Sequence, residues 1–325
     1  MIPVTPVLRA RKKFLKGYTG TWNVRTLNAD GKIDQLEHEQ KCYTWNIIGL
    51  AEARLTGVGD SKTPQGNQLF HSGQDKRHAN GTTFLIHKDT AGAVMEFKPI
   101  SDRVIYIRLR VKPFNLSVMQ IYAPTTDATD DQLNRFYDAV TATLQGLPNQ
   151  DIHLLMWEWN AKIGPDAYDQ LKGTIGRSGL PDWGLPMTEV CAGLLEFAQF
   201  HELTICNTFQ AGKLSRKATF HSPNGKTHNM IDYIMVDNRF RSSIKLAKTR
   251  TFPGADVGSD LDLVLTALWL KNIEKKQSMR VSYNLDKLKD NDIAEQFQVE
   301  VGGRFAPLLT LELEPEEFQQ QVEDN

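Results

Sequence analysis

The stretch that most constrains this chain is Asp151 to Gly164, Asp-Ile-His-Leu-Leu-Met-Trp-Glu-Trp-Asn-Ala-Lys-Ile-Gly. Its short, nearly unbroken apolar run predicts a buried strand, and the polar residues that follow mark the edge of a sheet. Side chains alternate along a strand, so Glu158 and Asn160 share one side and Trp159 takes the other. An ordinary strand terminus, with a solvated Glu and a turn-forming Asn, has the same pattern. The rest of the chain separates the two readings.

Similar runs recur on both sides. Tyr18 to Val24 and Trp45 to Leu50 predict strands with a mostly solvated helix between them, within 30–43, and the second strand delivers Glu52 at its end. The segment through Gly57, Gly59, Pro64 and Gly66 predicts a polar loop. Closely spaced runs at 82–87, 93–97, 104–111 and 116–122 predict antiparallel hairpins, the last ending at Tyr122-Ala123-Pro124. Leu133, Phe136, Tyr137, Val140 and Leu144 predict one face of a helix that stops at Gly146. Gly164 to Pro186 predicts a long surface loop and 188–202 a further helix. Strands are then expected over 218–222, 230–236, 244–251 and 263–270, with Asp232 and Asp260 where the chain surfaces. Two runs of strands with helices predict a two-layered sandwich of similar halves. The expected division is a flexible basic arm over 1–17, one domain over 18–271, and a tail over 272–325. That tail reads as a polar linker, a short helix containing Ile293 and Phe297 that ends at Gly302-Gly303, and an acidic terminus.

Composition narrows the function classes. A formal net charge of -1 excludes an overall nucleic-acid-binding composition, so any polyanion must be met locally. Cys42, Cys191 and Cys206 have neither CxxC nor zinc-ligand spacing, which excludes a disulfide framework and predicts small buried hydrophobes in a reducing compartment. No run reaches the roughly 18 apolar residues of a membrane span. The expectation is a soluble intracellular protein, nuclear or cytoplasmic, without a membrane partner.

The strand-end polar residues are Asn23, Glu52, Tyr122, Glu158, Asn160, Asp232 and Asp260, in the contexts TWNV, GLAEAR, IYAP, LLMWEWNAKIG, MIDYIMV and GADVGSDLDLV. These six motifs, in this order over 19–270, resemble the endonuclease/exonuclease/phosphatase superfamily. More narrowly they resemble the endonuclease domain of RTE-type non-LTR retrotransposons and the host craniofacial development protein 2 group similar to it. The resemblance implies a four-layered α/β sandwich of two mixed sheets flanked by helices, DNase I-like, with one site at the top edge of both sheets. It implies cleavage of a DNA phosphodiester with Mg²⁺, or Mn²⁺ in its place, because a hard divalent ion suits carboxylate oxygen and neutralises charge on the phosphoryl oxygens. By resemblance Asn23 and Glu52 are the metal-binding pair. Glu158 and Asn160 orient the attacking water and the phosphate, Tyr122 contacts the phosphate, Asp232 orients a catalytic histidine, and Asp260 precedes it. The partners implied are the DNA phosphate backbone and, in a parent element, a fused or associated reverse transcriptase.

The chain departs from that pattern at the histidine. Where the family reads Ser-Asp-His, this chain has Ser259-Asp260-Leu261, and leucine moves no proton. Where the family reads Gly-Asp-Phe-Asn, it has Trp157-Glu158-Trp159-Asn160, which lengthens the acid arm and is expected to put the Trp157 bulk beside the substrate. His221 and His228, in HSPNGKTH, are expected in a polar hairpin loop rather than as replacements. Lys213, Arg216, Lys217, Lys226, Arg239 and Arg241 are expected to flank the site, as phosphate contacts or as ordinary surface charge. Three readings follow: an endonuclease scaffold of retrotransposon descent with activity lost or much reduced, a non-catalytic DNA-binding or protein-interaction module, and a phosphatase or phospholipase.

Overall fold

The computed structural model describes residues 14–125, 128–159, 163, 165–168, 171–178, 189–211, 213–222, 224–244, 248–271 and 289–309. They separate into two units, 1–273 and 274–325. The second contributes one described helix, α5 of the numbering below.

In chain order the strands are β1 (Phe14–Asn23), β2 (Ile47–Ala51), β3 (Val58–Lys62), β4 (Gln68–Ser72), β5 (Thr82–Ile86), β6 (Val94–Ser101), β7 (Val104–Leu109) and β8 (Leu116–Tyr122). They continue as β9 (Ile152–Glu158), β10 (Leu203–Ile205), β11 (Phe220–His221), β12 (His228–Asn229), β13 (Asp232–Asp237), β14 (Arg250–Phe252) and β15 (Leu263–Lys271). The helices are α1 (Lys32–Gln40), α2 (Lys88–Ala91), α3 (Asp130–Gln145), α4 (Glu189–Phe200) and α5 (Asn291–Leu309). One mixed sheet runs β14-β15-β1-β2-β5-β4-β3 and the other β10-β13-β9-β8-β7-β6, with β11-β12 as a separate ribbon.

The layering follows from strands that are apolar on both faces. Ile47, Phe84 and Val264 of the first sheet meet Ile107, Val118, Leu154, Met156 and Ile234 of the second, and this is the core between the sheets. The opposite face of the second sheet offers Met119, Leu155, Trp157 and Tyr233 to α3 and α4, through Phe136, Val140, Leu194 and Ala198. The outer face of the first sheet buries Trp22, Leu50 and Leu265 against Leu36 of α1. Helix, sheet, sheet, helix is the four-layered α/β sandwich that the family resemblance implies. Thr129 caps α3 with a reciprocal capping box to Gln132, satisfying free amides at the helix start.

A polar contact inside the sandwich fixes how the sheets face each other. Gln120 of β8 exchanges hydrogen bonds with Thr21 of β1, and a Cβ built on Gly49 of β2 would lie 1.8 Å from the Gln120 side-chain oxygen. Gly49 is the space that admits this buried amide.

Several expectations are corrected. β1 begins at Phe14 rather than at 18, because β15 extends to Lys271 and pairs with it, Phe14 opposite Lys271; residues 1–13 of the expected arm lie outside the described residues. The polar loop after Gly57 is the hairpin β3–β4, whose mostly exposed first strand carries little apolar signal. Helix α5 runs through Gly302-Gly303. Cys42 is exposed, not buried.

Candidate active site

Strand register brings the acids together. β8 and β9 run parallel and β9 and β13 antiparallel, so Tyr122, Glu158 and Asp232 fall opposite one another on three adjacent strands. In the facing sheet β1 and β2 are parallel, with Asn23 opposite Ala51, so Glu52 follows one residue beyond. Glu52 itself adopts φ +53°, as do Arg25 (+58°) and Arg54 (+55°), a left-handed conformation that costs a non-glycine residue of order 1 kcal/mol or more. Three such residues in two adjacent loops turn the chain sharply where the strands end.

The side chains form one network. The Asn23 side-chain nitrogen donates to Glu52 Oε1 at 2.8 Å and lies 3.0 and 2.9 Å from Glu158 Oε1 and Oε2. Asn23 Oδ1 accepts the Arg25 amide at 2.8 Å, so the amide presents its NH₂ to the acids. The Tyr122 hydroxyl donates to Glu52 Oε1 at 3.3 Å. Burial, then the charges of Glu52 and Glu158, push the Tyr122 hydroxyl far above its usual range, so it acts as a neutral donor. Glu158 is buried, and burial followed by the adjacent Asp232 raises its carboxyl well above the ordinary value.

Asp232 is pushed up to about 7, first by burial, then by Asp262 and Asp260. Neither of its carboxylate oxygens has a hydrogen-bond partner among the described residues. The nearby Thr219 hydroxyl accepts the amides of Ile231 and Asp232 and offsets only part of the shift. Asp260 lies 3.6 Å from Arg25 and acts electrostatically on both Glu158 and Asp232. Asn160 lies outside the described residues.

Leu261 is 7% exposed and tied by its backbone: its amide donates to Ser259 Oγ and its carbonyl accepts the Trp22 indole at 2.9 Å. Among the described residues no histidine side chain bonds or pairs with the carboxylates of Glu52, Glu158, Asp232 or Asp260; His221 meets Asp260 through the backbone, its amide donating to the Asp260 carbonyl at 3.0 Å. His221 and His228 pair across β11–β12, Nδ1 to Nδ1 at 2.7 Å, and His221 Nε2 is 2.9 Å from Asp262 Oδ2. Both ring nitrogens of His221 are therefore engaged.

Two further expectations change here. Trp157 does not stand beside the substrate: it is fully buried on the helix side of β9, against Phe136, Phe197 and Trp159, with the two indole centroids 3.7 Å apart. Alternation explains it, since Trp157 and Trp159 flank Glu158 and must point the other way. Arg239 and Arg241 do not flank the acids; they follow β13 at its far end and bind the carbonyls of Asn149 and Gly173. The cations at the cleft are ones the sequence reading passed over. Arg25 faces Asp260, Arg54 binds Glu52 at 2.9 Å, and Arg103 stacks over the Tyr122 ring while donating to the carbonyls of Tyr122 and Ala123. Arg25 and Arg54 each stand two residues after a strand-end polar residue, which is the signal that could have found them.

Among the described residues no three His, Cys, Asp or Glu side chains are arranged to hold a metal ion, and no helix is long and apolar enough to cross a membrane.

No family model matches the chain. It is 36% identical over 252 residues to craniofacial development protein 2 of Bos taurus and 35% identical over 252 residues to that of Tragulus javanicus, in each case over 78% of this chain. The chain spans 41% and 42% of those relatives' lengths. Three solved structures are similar in fold. The endonuclease domain of TRAS1, a telomere-specific non-LTR retrotransposon, has TM-score 0.54 at 12% identity, over 78% of this chain and 98% of that one. The AP endonuclease LMAP from Leishmania major has TM-score 0.55 at 14% identity, over 78% and 87%. An endonuclease/exonuclease/phosphatase family protein from Bacteroides thetaiotaomicron has TM-score 0.50 at 12% identity, over 79% and 98%. The chain is a homologue of craniofacial development protein 2, built on the α/β sandwich of the endonuclease/exonuclease/phosphatase proteins.

Proposed function

We propose that this chain binds DNA at the edge where Asn23, Glu52, Tyr122, Glu158 and Asp232 meet, in a cleft of phosphodiesterase type whose chemical step is lost or strongly slowed. The nuclease fold supports the first part. The second rests on one observation, the buried Asp232 carboxylate, whose oxygens have no hydrogen-bond partner among the described residues and whose shift Thr219 offsets only in part, in a chain that carries Leu261 after Asp260.

The donor set suits a hard divalent cation. Glu52 and Glu158 turn carboxylate oxygens towards a single amide nitrogen, and the Glu158 carboxyl is raised first by burial and then by the charge of Asp232. Glu52 would hold Mg²⁺, or Mn²⁺, with Asn23 fixing its orientation. Such an ion, when bound, neutralises charge on phosphoryl oxygens. Tyr122, kept neutral, donates a hydrogen bond to a phosphate oxygen. Glu158, buried and held by Asn23, accepts a proton from an attacking water. Asp260 reinforces the field on Glu158. The remaining role, positive charge or a proton for the phosphorane, has no carrier at Leu261, and losing such a group typically removes roughly a hundred- to ten-thousand-fold of rate. Arg25, Arg54 and Arg103 retain cationic contacts for the backbone, so binding outlasts cleavage. The non-catalytic DNA-binding module is the limit of this reading in which turnover reaches zero.

A plasmid-nicking assay with Mg²⁺ tests it. The parent chain is expected to shift DNA in a salt-sensitive way with little nicking, and Leu261→His to gain nicking that Glu52→Ala removes. Robust nicking by the parent, abolished by Glu52→Ala, would overturn the impaired-site reading.

A further inference from the structure

A second polar cavity lies on the outer face of the first sheet, away from the acids. It has a volume of about 430 Å³, and among its lining residues are Tyr18, Tyr43, Gln210, Arg216, Lys248 and Arg250. Tyr18 is five residues before Asn23 along β1, so the cavity is roughly 16 Å from the cleft at about 3.3 Å per residue. Among the described residues none that lines it is acidic. In a chain of net charge -1, three cations around one cavity are a local concentration.

These cations are held without being neutralised. Arg250 stacks over the Phe252 ring at 4.8 Å, and Lys248 lies over Trp269 at 5.7 Å, sharing that ring with Lys16 at 4.6 Å on its own approach. Among the described residues none of Arg216, Lys248 and Arg250 forms an ion pair with a carboxylate. An aromatic face positions a cation while leaving its N–H donors for another acceptor. Gln210 supplies an independent observation. It is 6% exposed, its side-chain nitrogen is spent on the Ala211 carbonyl, and its Oε1 is buried with no partner. An unmatched buried acceptor is costly, and a ligand that brings a donor relieves that cost.

We propose that this cavity binds a nucleotide: Arg216, Lys248 and Arg250 take the phosphate, Tyr18 and Tyr43 flank the base or sugar, and Gln210 accepts from one of its N–H or O–H groups. The chemistry is shared by a free nucleotide and by one nucleotide of a single strand. Titration calorimetry on the full chain, with inorganic phosphate, thymidine 5′-monophosphate and a short 5′-phosphorylated oligothymidylate, tests both. Thymidine monophosphate is expected to bind at least about tenfold tighter than phosphate, a difference of about 1.4 kcal/mol. Lys248→Gln with Arg250→Gln should weaken both by about tenfold or more, and Gln210→Ala only the nucleotide. Arg216→Gln, at an exposed position, repeats the test where folding is not at stake, and thermal melting checks every variant. Equal affinity for monophosphate and oligomer assigns a free nucleotide, and a much tighter oligomer assigns a strand. Absence of nucleotide binding, a nucleotide no tighter than phosphate, or indifference to Arg216→Gln and the other substitutions in folded protein would overturn the assignment.

Discussion

The Asn23 side-chain nitrogen sits 2.9 to 3.0 Å from both carboxylate oxygens of Glu158, while 2.8 Å from Glu52 Oε1. An NH₂ group has two protons for these three oxygens. It is the donor on which two strand-end acids from different sheets depend. Asn23→Ala is therefore expected to destabilise the domain by roughly 1 to 3 kcal/mol, since it leaves a buried carboxyl without its donor. Urea denaturation at neutral pH measures this. A change below a few tenths of a kcal/mol would mean that solvent replaces the amide and that the two acids are not coupled through it.

Asp232 gives a pH dependence of definite sign. In the unfolded chain its carboxyl titrates near 3.8 and in the folded protein near 7, so between these values folding takes up a proton. The contribution to stability is fully present below about pH 4 and is lost as pH rises through about 7. Asp232→Asn keeps the shape and removes the charge. It should be more stable than the parent at about pH 8, by roughly 2 to 4 kcal/mol, with the gap closing towards about pH 4. Thermal unfolding of both proteins at these pH values checks the order; a parent more stable than the variant at about pH 8 would contradict it.

Local alternation made the central strand and the side its Glu158 takes readable, whereas the four layers and the gathering of the acids at one edge were legible only through the resemblance of the motifs. The run at 152–157 had to be a two-sided strand, and the same alternation that set Glu158 apart from Trp159 also sets it apart from Trp157. The expectation of Trp157 beside the substrate failed because it compared motifs position by position without applying that alternation. The β3–β4 hairpin was illegible because Gly59, Asp60 and Ser61 carry no apolar signal, and its strand exists through pairing with β4. Arg103 was illegible for another reason. Arg103 reaches the Tyr122 and Ala123 carbonyls across a hairpin, and no spacing in the chain encodes that reach.

Trp157 is therefore predicted to be a stability residue. It is fully buried between Phe136, Trp159 and Phe197, and deletion of such a side chain typically costs about 3 to 5 kcal/mol. Trp157→Gly should add the conformational cost of glycine in a strand, of order 0.5 to 1 kcal/mol. The denaturation midpoint should fall sharply, and nicking by Leu261→His should not improve when Trp157→Gly is added. A double variant that is as stable as the single one and nicks faster would put the indole back at the cleft.

Divalent-ion binding should be separable from turnover, because the residues around Glu52 and Asn23 are intact while the imbalance lies at Asp232 and Leu261. If Mg²⁺ or Mn²⁺ occupies the cleft, it offsets the carboxylate charges of Asp232 and Glu52 that add to the effect of burial on Glu158, and a ligand bound only by the folded state stabilises that state. At ten times the dissociation constant the gain is about 1.4 kcal/mol. The parent should therefore melt higher as Mn²⁺ is added, and Glu52→Ala should lose most of that response. Tyr122→Phe should keep it, since the phenol donates to Glu52 and presents no ligand of its own. Mn²⁺-induced water-proton relaxation on the same three proteins gives a second readout independent of melting. An identical response from the parent and Glu52→Ala would place the ion elsewhere and remove Glu52 from the proposed metal site.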